Sequence, residues 1–346
     1  MVQNRLVVHV GAPKCGSSSL QAALSKIGTF NASHGETFRY AAITDHGLAM
    51  DEELRPFHEW HVSGVSRSTD IDQLENLDRS QIAHLAGNLN TRLAQTSVIL
   101  SCEGWMQQVD RFAELRLFSQ IDTPVEIIAY VRPQPDYLNA HWWQWGAWTI
   151  ATFEQWTYLT EPFLYTWTAL LQKWARMDGV STVQPRLLPA DIIDDFFRRL
   201  SCEAPTHLSI NRSLPAVALR FLQRHRDLRP HAHASDIDFV LERALKGRYA
   251  STPWVLPLWY VAQILDECRA DNTALMDMLT DQDKARMQAD PRWWTPTAYE
   301  DRVVQAPEPC APVAEEIDAF AAELARALLE AERENAALRM RIGAQG

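Results

Sequence analysis

The sequence predicts an α/β protein, a parallel β-sheet flanked by helices on both faces, with a C-terminal helical extension. Three observations predict it. The apolar run Leu6–Val10 passes through a Gly- and Ser-rich loop into helical spacing at Leu20, Ala22, Ala23 and Leu24. Two more strand-type runs, Thr96–Ser101 and Val125–Val131, alternate with helical stretches. From Pro312 onward, apolar residues recur in alternating steps of four and three, the spacing of a helical seam.

The first loop, Gly11-Ala12-Pro13-Lys14-Cys15-Gly16-Ser17-Ser18-Ser19, has the composition of an anion cradle. A helix N-terminus offers amides with no intrahelical acceptor, glycines admit close backbone approach, and serines add donors. Lys14 would stand over the anion as a mobile point charge. The loop is P-loop-like without being the nucleotide-triphosphate motif, which needs Gly, four residues, then Gly-Lys-Ser/Thr. Gly11 and Gly16 keep that separation, but Ser17 stands where the lysine belongs. An ordinary Gly/Ser-rich strand-to-helix turn is the other reading of the same residues.

Residues 28–70 read as long loops with a short helix near 50–60, carrying His34, His46, His58 and His61. His58 and His61 flank Glu59-Trp60 and are candidates for the acceptor side; without further ligands they are a weak metal signal. An amphipathic helix is expected over 71–95, from Ile71, Leu74, Leu77, Ile82, Leu85 and Leu89. The strand 96–101 then ends in Cys102-Glu103-Gly104-Trp105, a helix covers about 107–120, and the third strand ends at Arg132. Ligands of parallel sheets sit at the carboxyl ends of the strands, so the Gly11–Ser19 loop, Glu103 and Arg132 should converge. Arg132 is placed to grip a phosphate, a surface salt bridge being its other use. Glu103 is placed to act as a general base or to cap the next helix.

Seven tryptophans fall between 141 and 174, most of them expected in the core, with Trp142 and Trp145 one turn apart and available as an acceptor platform. A further strand at 181–188 and a helix at 191–200 follow, then a helix from Pro215 to His225. Helices at 235–247 and 257–280 are separated by Pro-rich joints. The terminal seam runs through Ile317, Ala321, Leu324, Leu328, Ala331, Asn335, Leu338 and Ile342. It fits a dimeric coiled coil, with Asn335 at a register-setting position, and equally a helix packed on its own domain.

Composition narrows the function. The 346 residues are 22% charged and 47% hydrophobic, which suits a globular protein. A net charge of −11 argues against nucleic acid as a partner but not against a small anion held by a few donors. No apolar run is long enough to span a membrane and no signal-peptide pattern is present. The five cysteines are scattered, without metal-site spacing. A reduced, cytoplasmic location is therefore expected.

Pro13-Lys14-Cys15-Gly16-Ser17-Ser18-Ser19 resembles the 5′-phosphosulfate loop of sulfotransferases that use 3′-phosphoadenosine 5′-phosphosulfate (PAPS), typically Pro-Lys-x-Gly-Thr/Ser-Thr/Ser. Tyr130-Val131-Arg132-Pro133 through Ala140 is similar to the segment in which that family holds the 3′-phosphate with an Arg and, eight residues on, a Ser. Ala140 replaces that serine, which leaves Asn139 as the substitute. Ser101-Cys102-Glu103 resembles the family's Ser-x-Glu, whose glutamate is the general base; His141 or a histidine of the 28–70 stretch is the alternative. Ile210-Asn211-Arg212-Ser213-Leu214 resembles a late Asn-x-Ser-Leu segment, with Arg212 contacting the cofactor from the far side.

The resemblance is to the bacterial, carbohydrate-sulfotransferase-like branch. It implies PAPS as donor, adenosine 3′,5′-bisphosphate as product, no metal, and a carbohydrate or glycolipid hydroxyl as acceptor. It runs from about residue 5 to 226, which gives a cofactor-binding core at 1–226; the helical pattern beyond it gives a region at 227–310 that forms a lid or completes the acceptor pocket, and the C-terminal helix at 311–346. The homodimer would form through that helix. A P-loop kinase with a displaced lysine, and a non-catalytic partner-binding protein on the same fold, are the rival readings.

Overall fold

The computed structural model describes residues 3–44, 47–50, 77–159, 166–205, 214–232, 234, 236–245, 252–311 and 313–343. The chain packs into two units. The first comprises residues 1–138, 160–210 and 256–302; the second comprises 139–159, 211–255 and 303–346.

The first unit is mixed α/β, built on a seven-stranded, mostly parallel sheet. Its strands are β1 (Leu6–Gly11), β2 (Thr29–Asn31), β3 (Thr37–Thr44), β4 (Gly47–Met50), β5 (Ser97–Glu103), β6 (Val125–Val131) and β7 (Val180–Leu187). The order is β2-β3-β5-β1-β6-β7, with β4 hydrogen-bonded to β3. Only β2 and β4 run antiparallel to their neighbour. Every residue of β1 is buried, as a central parallel strand requires, which explains its unbroken apolar run. β2, β3 and β4 occupy ground expected to be loop. Thr37–Thr44 is rich in Thr, Phe, Tyr and Ile, and its pairing with β5 decides the matter where the surrounding Gly, His and Ser residues suggested irregular chain. The helix anticipated near 50–60 lies outside the described residues.

The helix expected over 71–95 begins only at Arg79, Leu77 and Asp78 being non-helical and 71–76 lying outside the described residues, and the one expected at about 107–120 is broken into Trp105–Gln108, Val109–Leu115 and Phe118–Gln120. Arg79–Leu93 starts in a capping box, Asp78 accepting from the Gln81 amide while the Gln81 side chain accepts from the Asp78 amide. Ile192–Arg199 is capped by Asp191, which accepts from the amides of Ile193 and Asp194. The expected single helix at 257–280 is two, Leu258–Glu267 and Arg269–Leu275, meeting at Cys268. No helix among the described residues is long and apolar enough to cross a membrane.

The topology fixes where a ligand can enter the first unit. The connection leaving β1 runs toward β3, and the one leaving β6 runs toward β7, on opposite sides of the β1–β6 pair. Loops that diverge in this way open a crevice at the carboxyl ends of the two strands.

The second unit is helical and rich in Trp–Arg contacts. Trp142 packs edge-on to Phe153 and Trp156, at centroid distances of 5.1 and 5.3 Å. The Arg229 and Arg220 guanidinium groups lie over the rings of Trp148 and Trp143 at 4.0 and 5.0 Å. The C-terminal helix Ala314–Gly343 is anchored by Phe320, which is buried with its ring 5.5 Å from that of Phe221.

Candidate functional site

The loop that the sequence singles out leaves the carboxyl end of β1, where the topology places that crevice. β1 ends at Gly11, whose carbonyl accepts from the Gly104 amide at 2.8 Å, locking the ends of β1 and β5 together. A Cβ on Gly11 would sit 2.2 Å from Ser17 Oγ and 3.1 Å from the Cys102 carbonyl oxygen, so only glycine lets the loop fold back this closely. Lys14 holds φ at +59°, in the left-handed region that costs a side-chain-bearing residue about 1–3 kcal/mol. Gly16, at φ +83°, is the N-cap of the helix Ser17–Ile27. That helix has no side-chain cap and no acidic residue in its first turn. The amides of residues 17–19 thus have no intrahelical acceptor and stand at the positive end of the helix dipole.

Glu103 and Arg132 are carried to this loop from β5 and β6. Glu103 pairs in register with Gly11, and the Ser18 hydroxyl donates toward its Oε2 at 3.4 Å. It does not cap the next turn, whose N-cap is Gly104 with no side-chain bond. Arg132 Nη1 donates to the Lys14 carbonyl at 3.0 Å, while the Arg132 carbonyl accepts from the Trp167 indole at 3.0 Å. Lys14 itself is exposed. Cys15 is fully buried; burial pushes its thiol up to about 12, with Arg132 opposing and Glu103 reinforcing the rise, and its amide donates to the Ala12 carbonyl at 3.2 Å.

Three groups near the site carry no sequence motif. Tyr137 is fully buried, its hydroxyl accepting from Gln107 Nε2 at 3.3 Å; burial, with Cys15 and Glu103 nearby, raises its pKa far above the usual phenol range. Arg286 and Arg292 join Arg132 in lining a cleft of about 320 Å³ at the ends of β6 and β7, with Asp290 and Trp293 beside them. Arg286 is held by Asp283 at 2.7 Å, and Asp283 is ion-paired to Arg186 at 3.1 Å. Arg186 in turn binds Asp195, which accepts from the Tyr130 hydroxyl, both at 2.8 Å. Arg292 is held by Asp290 at 2.7 Å and Asp136 at 3.4 Å. Neither this cleft nor a larger hollow of about 470 Å³, lined by Arg79, Glu114 and Arg116, includes residues 11–19 in its lining.

Other candidates stand elsewhere. Asn139 is buried in the second unit; its Nδ2 donates to the Pro253 carbonyl at 3.0 Å and its Oδ1 accepts from the Val255 amide at 2.9 Å. Both ends of the amide are committed to the chain, which replaces the phosphate role expected of it with a structural one. Trp142 is a core residue, its ring filling the space beside Gly146, where a Cβ would come within 2.2 Å of it. Trp145 is half-buried, with its ring 6.4 Å from that of His141. His34 pairs with Glu36 at 3.1 Å. His46, His58, His61 and Arg212 lie outside the described residues. Among the described residues, no group of three or more His, Cys, Asp or Glu side chains is disposed to hold a metal ion.

The structure thus brings together a helix N-terminus, a lysine in the preceding turn, an arginine tied to that turn, and a carboxylate on the adjoining strand end. No family model matches the chain, and no curated protein matches it.

Proposed function

We propose that the protein is a sulfotransferase that moves the sulfuryl group of PAPS to a hydroxyl, with a carbohydrate or glycolipid as the acceptor class. The observation that carries this reading is the hydrogen bond from Arg132 to the Lys14 carbonyl, which unites the two motifs resembling the phosphosulfate and 3′-phosphate sites of that family. The donor set fits the group: a helix N-terminus with no side-chain cap and no acidic residue in its first turn, an exposed lysine in the turn before it, and an arginine tied to that turn. In this reading the loop is P-loop-like in form, with its cation moved inside the turn.

Lys14 and the amides of residues 16–19 would hold the 5′-phosphosulfate, the Cys15 amide being spent on the Ala12 carbonyl, and Arg132 would hold the 3′-phosphate with Arg286 and Arg292 across the cleft. When bound, PAPS supplies the sulfuryl group and a bisphosphate leaving group. Lys14 neutralises charge gathering on the oxygens near it, and Glu103 accepts the acceptor hydroxyl's proton at its carboxylate as the new bond to sulfur forms. Positioning and electrostatic stabilisation supply most of the rate, as in phosphoryl transfer. Lys14→Ala is expected to lower turnover on the order of a hundredfold or more.

The deciding experiment is calorimetric titration of wild type and Arg132→Ala with adenosine 3′,5′-bisphosphate and, separately, with Mg-ATP. Bisphosphate binding that the Arg132 change weakens tenfold or more supports the reading. Preference for Mg-ATP moves the protein to a phosphotransferase, and binding of neither leaves a non-catalytic partner-binding protein.

A further inference from the structure

The helix Ala314–Gly343 buries only part of its apolar seam. Near its start Phe320, which flanks the seam, is 2% exposed against Phe221, while within the seam Ile317 is 40% exposed, Ala321 is exposed and Leu324 is half-buried. Beyond that the seam opens: Leu328 is 65%, Leu338 52% and Ile342 72% exposed, with Ala331 and Asn335 exposed between them. In heptad terms Ala321, Leu328, Asn335 and Ile342 take position a, and Ile317, Leu324, Ala331 and Leu338 take position d.

We infer that the occupant of this face is the same helix of a second copy, in parallel and in register. Two features point to that partner. Asn335 is the one polar residue of the seam and sits at an a position. In a parallel pair it meets its own counterpart and bonds with it; in an antiparallel pair it is set against an apolar d residue. The flanking charges agree. Glu334 at g lies five residues before Arg339 at e, the spacing at which g of one parallel helix meets e of the other, so the two-fold axis makes two Glu334–Arg339 pairs.

Sedimentation velocity on the full chain at micromolar concentration reads the prediction. Wild type is expected to sediment as two chains, and Leu328→Glu combined with Leu338→Glu as one, with helix content by circular dichroism unchanged because both positions are exposed. Ala331→Cys, made with Cys310→Ser so that the exposed native thiol is removed, tests direction. Position 331 faces itself only in a parallel, in-register pair, so oxidation is expected to yield a same-residue cross-linked dimer. A monomeric wild type, a dimer indifferent to the paired glutamates, or a dimer that fails to cross-link at 331 would each overturn the inference.

Discussion

Acidification should destabilise the protein through one side chain of the central strand, His9. Its ring is fully buried between Tyr130 and Phe196, at centroid distances of 5.8 and 6.3 Å. Nδ1 lies 2.8 Å from Ser101 Oγ, and Nε2 is buried with no hydrogen-bond partner among the described residues. Burial alone pushes its pKa from 6.5 down to about 3. The sign follows from proton counting. Above pH 6.5 neither state binds the proton, so nothing is lost. Below pH 6.5 the unfolded chain takes a proton that the native chain refuses, and stability falls by up to 1.36 kcal/mol per pH unit until about pH 3. At pH 5 the accumulated loss is about 2 kcal/mol. Urea unfolding of wild type and His9→Gln at several pH values between 7.5 and 5 isolates it, because the glutamine removes this proton and leaves every other titration in place. The wild-type free energy should fall about 2 kcal/mol further than the variant's across that range. Parallel curves would mean that His9 accepts its proton inside the fold, and would refute the reasoning.

Three other perturbations address the site. Gly11→Ala puts a methyl 2.2 Å from Ser17 Oγ, and should destabilise by about 1–3 kcal/mol and weaken bisphosphate binding; Ser17→Gly in the same chain should restore part of both. Asn139→Ala should cost about 1–3 kcal/mol in chemical denaturation while leaving bisphosphate affinity within about twofold, the reverse pattern returning this residue to the ligand set. Glu103→Gln should lower turnover on the order of a hundredfold with bisphosphate affinity unchanged, and a variant of near-normal rate would transfer the base to another group.

The parts of this structure that could be read from sequence are those in which local pattern and tertiary role coincide. Leu6–Val10, Ser97–Glu103 and Val125–Val131 are buried on both faces, so their apolar runs are long enough to name, and the loop after Leu6–Val10 carries its own chemistry in consecutive residues. Thr37–Thr44 was obscured because its polar neighbours outweigh it locally and its pairing partner lies about 60 residues away. Asn139 misled for a related reason: position along a helix gives the residue but not the direction in which its amide is used up. The Trp-rich stretch says only that large rings must be packed; that Arg220 and Arg229 would lie over two of them is a property of distant helices. Arg286 and Arg292 had no signal at all, since an arginine more than 150 residues from the motif it supports is indistinguishable from a surface charge until the chain is folded.

β1 hydrogen-bonds only to β5 and β6 among the described strands. Its first available partner therefore arrives some 90 residues later in the chain, and its second later still. During synthesis β1 leaves the ribosome before either of these partners, followed by a helix start that no side chain caps. Closing so long a loop carries an entropic cost that must be met before the contacts return anything, which places β1 among the later-docking elements. The turn at Gly11–Ser19 can acquire its left-handed residues and close approach to Cys102 only after β5 is in place. Slow or interrupted folding would thus yield chains with much of their helix content in which this turn has not formed.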